Sequence, residues 1–296
     1  MKIKKVMAGM LAMVTVMGSL MSPLSAKADQ IDAPYLALGA DLNETEKSTV
    51  LSLLEINEAD LSSYQVITVT NADEHKYLDS YLDSSVIGTR ALSSVLIEKK
   101  DKGNGIKVTT SNITYCTTGM YQNALATAGV TDADVRVAGP FNISGTAALV
   151  GAMKAYGTMT GDVIDSDSAD AATNELVVTG ELGESLGKDE AAQMVALLKD
   201  KVVSGDLSSE DDIMNAIDEA ADELNVSLTE EQKQKLLDLM EKINGLDLSI
   251  DTLKDQAQGI YDKLKDLDIN LDEAKGFLDK IADFFKNLWD KISNMF

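Results

Sequence analysis

Ser94-Val95-Leu96-Ile97-Glu98, then Asp101-Lys102-Gly103-Asn104-Gly105, then Ile106-Lys107-Val108-Thr109 places strand-forming sequence on both sides of a turn. Two runs rich in β-branched residues flank a turn with two glycines, the pattern of a β-hairpin. Upstream, Tyr64-Gln65-Val66-Ile67-Thr68-Val69-Thr70 alternates and is β-branched, a strand by the same rule. Downstream, Asp134-Val135-Arg136-Val137-Ala138 is another. Helices fall between them. Asn43 to Ile56 opens with Asn43 as N-cap and Glu46 three places on, a capping box. Ala72 to Asp83 reads as helical, Thr118 to Gly129 as a helix ended by its glycine, and the alanine-rich Ser144 to Tyr156 as a buried helix. Helices and strands mixed in this order predict an α+β or α/β domain with a mixed sheet over residues 29–160.

Beyond that domain the composition changes. Asp29 to Thr160 carries 16 acids and 9 bases, whereas Gly161 to Phe296 carries 33 acids and 13 bases with neither arginine nor proline. Residues 161–188 read as an acidic linker with room for a short helix. Residues 189–296 read as an all-α acidic region. Asp189–Val203, Ser209–Leu224, Thr229–Ile243, Ile250–Leu267 and Asp272–Asn294 each space apolar residues by three or four. Thr229-Glu230-Glu231-Gln232 is a second capping box.

At the other end, Met1-Lys2-Ile3-Lys4-Lys5 is basic, Val6 to Met21 is almost wholly apolar, and Ala26-Lys27-Ala28 follows. A charged start, a short apolar core and a small-x-small site predict a secretory signal peptide over residues 1–28, cut after Ala28. The apolar run is shorter than the roughly 20 residues a spanning helix needs. The expectation is therefore an exported chain, extracellular or loosely held at the cell envelope, with no transmembrane segment after cleavage. Cleavage removes four lysines and no acid, leaving 22 basic against 49 acidic residues and a net charge of −27. Such a surface repels nucleic acid, so no nucleic-acid partner is expected. Cys116 is the single cysteine, which excludes an intramolecular disulfide.

Several separated segments occur in an order shared with one family. They are Ser93-Ser94-Val95-Leu96-Ile97, Gly105-Ile106-Lys107-Val108, Asn112-Ile113-Thr114, Thr127-Ala128-Gly129-Val130, Val135-Arg136-Val137-Ala138 and Ser144-Gly145-Thr146-Ala147-Ala148-Leu149. Together they resemble the exported proteins of Gram-positive bacteria grouped as "domain of unknown function 1002". The resemblance covers most of Asp29–Tyr156 and extends more loosely into the acidic helical half. It implies export and an envelope role, and it brings no established activity and no catalytic residues to carry over.

The candidate sites are few. His75 is the single histidine, so a histidine-based nucleophile pair could only be Cys116 with His75. The bland alternative is a solvent-facing histidine within Asp73-Glu74-His75-Lys76 and a buried thiol. Gly139 to Thr146 joins a strand to a helix, and backbone N–H groups there, with Ser144, Gly145 and Thr146, could hold an anion. The alternative is an ordinary N-cap by Ser144. Cysteine or histidine metal sites lack ligands, and Asp165-Ser166-Asp167-Ser168-Ala169-Asp170 lacks the glycine and closing glutamate of a calcium loop. No cofactor and no metal centre is expected. In the last helix Phe277, Ile281, Phe284, Leu288 and Ile292 form a stripe that Phe285 and Trp289 widen. That stripe either docks on the chain itself or meets a protein partner or a membrane surface.

These readings converge on a non-enzymatic envelope-associated or secreted binding or structural protein with a partner still unidentified. The alternatives are an extracytoplasmic hydrolase using Cys116 and His75, and a low-affinity divalent-cation binder.

Overall fold

A computed structural model describes residues 33–160, 164–203, 207, 209–223, 226–248 and 253. Five strands form one mixed sheet: β1 (Tyr35–Gly39), β2 (Gln65–Val69), β3 (Ser94–Lys99), β4 (Ile106–Ile113) and β5 (Ala133–Ile143), in the order β2-β1-β3-β5-β4. The helices are α1 (Glu44–Leu53), α2 (Asn71–Leu78), α3 (Ser84–Ile87), α4 (Thr118–Thr127), α5 (Thr146–Thr160), α6 (Ser166–Leu186), α7 (Lys188–Val203), α8 (Glu210–Glu223) and α9 (Glu230–Asn244). The class is α+β, followed by helices.

The expected hairpin is a split one. β3 and β4 run in opposite directions, but β5 lies between them, antiparallel to β3 and parallel to β4. The turn glycines do reverse the chain, with positive φ at Gly103 and Gly105. Their amides, however, both donate to Asp132 Oδ1 at 2.9 Å, just ahead of β5. Asn104 Nδ2 adds a bond to Asp134 Oδ1 at 3.1 Å. The turn is therefore fastened to the incoming strand, and the two flanking runs pair with β5 rather than with each other, β3 pairing with β1 on its other side.

Alternation sorts the sheet residues onto two faces. Ala37, Val95, Ile97, Val108, Val135 and Val137 pack with α4 and α5 in the main core. Leu36, Leu96 and Ala138 face the other way, where α1 covers them with Val50, Leu51 and Leu54. β1 is a strand that the sequence reading leaves out. Its burial on both faces replaces the alternating signature with an apolar run. α5 settles closely on the sheet because Gly151 presents no side chain there: a Cβ would stand 2.9 Å from Ala37 Cβ and 3.0 Å from Val69 Cγ2.

The segment read as an acidic linker is mostly α6, a helix of 21 residues. Its acids misled the composition argument. Asp165 caps the helix through Oδ2, which accepts from the Asp167 and Ser168 amides. Glu175 lies in the interior. Small apolar residues do the packing: Ala169, Ala172 and Leu176 join the main core, while Ala171, Val178 and Leu182 join the core of α7, α8 and α9. One helix thus belongs to both cores. The capping boxes at Asn43 and Thr229 are present, as the sequence suggests. The expected helix at Ala72–Asp83 is shorter, ending at Leu78, with α3 following as a separate turn of helix. The stretch Ile250–Leu267, apart from Leu253, and the last helix with Phe277, Phe284, Phe285 and Trp289 lie outside the described residues, as do residues 1–28.

Candidate functional site

α2, α3 and the loop after it, the exit of β4, and the passage from β5 into α5 converge on a cleft of about 430 Å³. The local folding of α2 puts a carboxylate into its wall. Thr70 caps the helix, its side chain accepting from the Asp73 amide while Asp73 Oδ2 accepts from the Thr70 amide at 2.8 Å. Asp73 is further held by Lys154 of α5 at 3.0 Å. That anchoring turns the next residue, Glu74, inward, where it is 1% exposed.

Glu74 is therefore a buried acid on a helix whose sequence, Asp73-Glu74-His75-Lys76, reads as a charged surface. Thr146 Oγ1 donates to Glu74 Oε1 at 2.8 Å, and Asn71 Nδ2 donates to Oε2 at 3.3 Å. Burial raises the Glu74 pKa above its ordinary value, and the bonds from Thr146 and Asn71 offset part of that rise. Ser144 Oγ lies 3.2 Å from Thr146 Oγ1, extending the polar row to the cleft mouth. Phe141, also on the cleft wall, is 49% exposed, an unusual setting for a large aromatic ring.

The structure changes the meaning of Ser144, Gly145 and Thr146. Ser144 is not the N-cap of α5. The amide of Ala148 donates to Ser93 Oγ, just ahead of β3, at 2.9 Å. Gly145 adopts φ +98°, and its carbonyl accepts from the buried Tyr121 hydroxyl at 2.6 Å. The polar end of α5 thus already faces a protein carboxylate and a protein hydroxyl. An anion placed there would meet Glu74, so the anion-holding reading gives way to a cleft with an acid in its wall.

Cys116 and His75 are not brought together. Cys116 is 2% exposed within the main core, beside the Tyr121 hydroxyl, and burial pushes its thiol up to about 12. A thiol so protonated is a poor nucleophile. His75 lies on the outer side of α2, its Nδ1 2.6 Å from Asp79 Oδ1, and that bond raises its pKa. Each takes the bland alternative weighed from the sequence.

Arg90 also lines the cleft, but its guanidinium is engaged. Nη1 and Nη2 meet Glu46 at 3.1 and 2.6 Å, and Nη2 also donates to the Asp41 carbonyl at 2.7 Å. Among the described residues no group of three or more acidic, histidine or cysteine side chains is placed to hold a metal ion. Asp165 is spent on the α6 cap, and Asp170 pairs with Tyr81 and Lys242. Among those residues, too, no helix is long and apolar enough to cross a membrane.

Apart from Ser144 and Thr146, sequence reasoning missed the residues that line the cleft, Glu74, Ser93 and Phe141 among them. The capping box at Thr70 was the available signal for Glu74, since it fixes which side of α2 turns inward. No comparable signal marks Phe141.

Comparison with known proteins agrees with the sequence resemblance. "Uncharacterized protein YpuA" of Bacillus subtilis (strain 168) is 40% identical over 295 residues, spanning 99% of each chain. No solved structure matches the chain. Residues 38–260 match the model of the family described as "Protein of unknown function (DUF1002)", a span that holds the end of β1, the other four strands, the cleft and α6 to α9, and the chain belongs to that family.

Proposed function

We propose that the chain is an exported, non-enzymatic binding protein of the cell envelope or its surroundings, and that the cleft between α2, α3 and α5 is its recognition site. The cleft itself carries the reading. Its volume falls within the roughly 300–1,000 Å³ of small-molecule sites, and polar groups converge in it on an apolar wall. The pairing that would make a hydrolase is missing, since Cys116 is buried and His75 is engaged by Asp79. Export rests on the pattern of Met1 to Ala28.

Two measurements test it. Fractionated cells should yield the chain outside the cytoplasm with Asp29 at its N-terminus; a cytoplasmic chain that retains residues 1–28 would refute export. A low-molecular-mass extract of the culture should shift the methyl resonances of Ile87, Leu92 and Ile143, which line the cleft. Unmoved methyls would refute the recognition site.

A further inference from the structure

We infer that the cleft accepts a neutral saccharide, held by hydrogen bonds to its hydroxyl groups and by its apolar ring face against Phe141. The inference rests on the recognition reading above and names the class of ligand.

The polar groups decide against charged ligands. Among the described residues lining the cleft, Arg90 is the one cation, and Glu46 already takes both of its outer nitrogens. The start of α5, the other feature that would draw an anion, faces Glu74 through Thr146 and gives its Ala148 amide to Ser93. A phosphate or carboxylate would thus meet an acid with no opposing charge to spare. An ammonium ion fares little better. Glu74 is 1% exposed, and each of its oxygens already accepts a bond, from Thr146 and from Asn71. A full positive charge would lose most of its water for a carboxylate it could barely touch.

A neutral polyol fits what remains. Ser85, Thr89, Thr114 and Ser144 bring hydroxyls to the lining. The Thr114 hydroxyl donates to the Ile143 carbonyl at 3.0 Å and keeps its lone pairs for accepting, and a sugar hydroxyl can supply the matching donor or acceptor. Val86, Ile87 and Leu92 add apolar wall for the C–H faces of a pyranose ring. Phe141 stands half out of the protein, where a flat apolar face can lie against its ring. A single contact of that kind suits weak and reversible binding.

The test is a methyl-NMR titration of the full chain with chitotetraose, cellotetraose and maltotetraose, and separately with inorganic phosphate and with ethanolamine. The expected result is a saturable shift of the Ile87, Leu92 and Ile143 methyls with at least one saccharide, and none with phosphate or ethanolamine. Phe141→Ala, on an exposed residue, should weaken the saccharide midpoint roughly two- to tenfold. Shifts with phosphate or ethanolamine and none with a saccharide would overturn the inference and leave the recognition site standing. A response to the culture extract with silence across all three saccharides would do the same. Silence to the extract and to every probe would overturn both.

Discussion

Lys199→Met is the substitution that weighs most on the union of the sheet domain with the helices behind it. Lys199 of α7 and Glu175 of α6 are 1% and 0% exposed and lie 2.8 Å apart. The ammonium also reaches the Asn123 carbonyl at 2.9 Å and Thr127 Oγ1 at 3.1 Å, both on α4, and the Thr127 hydroxyl donates to the other oxygen of Glu175. Each charge is thus matched and its hydrogen bonds are made, although burial lowers the Lys199 pKa. Removing the ammonium leaves a carboxylate in the interior with a single hydroxyl for company. Breaking a buried pair from one side costs about 3–5 kcal/mol. At about 2–4 °C per kcal/mol for a domain of this size, the melting temperature should fall by roughly 6–20 °C. The double substitution Glu175→Gln with Lys199→Met removes both charges and keeps an acceptor for Thr127, so it should recover most of the loss. Urea titration followed by far-ultraviolet circular dichroism measures all four corners of the cycle. A Lys199→Met chain within about 1 kcal/mol of the parent, or a double variant as weak as the sum of the singles, would refute the reasoning.

Two further outcomes follow from the buried acid and the buried thiol. A carboxyl held above 4.5 in the folded chain binds its proton more tightly there than in the unfolded chain. The contribution of Glu74 is therefore complete below 4.5 and lost as pH climbs through the raised value, so Glu74→Gln should flatten the urea midpoint over that window; an unchanged pH profile would count against the buried acid. Cys116, with its thiol pushed up to about 12, should resist iodoacetamide at mildly alkaline pH and label only as the chain unfolds. Labelling of the native chain at the rate of a free thiol would show the site to be open.

How much was legible in the sequence depended on whether the deciding signal was local. Asn43 and Thr229 announce their helices because a cap is a contact between residues three apart. The reversal at Gly103 and Gly105 was legible for the same reason, but its partner was not. Nothing within Ser94 to Thr109 says that Asp132 will hold the turn and that β5 will enter between the two runs. α6 was hidden by averaging, since a count of acids treats Asp167 on the surface and Glu175 in the core alike. The candidate site followed the same division. Ser144 and Thr146 line the cleft, but the sequence offered them as an anion site, and the acid that Thr146 bonds, Glu74, lies 72 residues before it in the chain.

The position of β5 also has a kinetic side. As the chain emerges from its N-terminus, β3 and β4 are complete before the strand that separates them, and their turn favours direct pairing. That pairing would be an off-pathway hairpin, which must open before Val135 can sit beside Val108 and Ile97. The finished sheet depends on contacts across long stretches of chain, and such topologies fold slowly. A nascent chain of this design stays without the strand that belongs between β3 and β4 until residue 143 has appeared. Loss of translation speed around β5 would then lengthen the life of the wrong hairpin rather than help the right sheet.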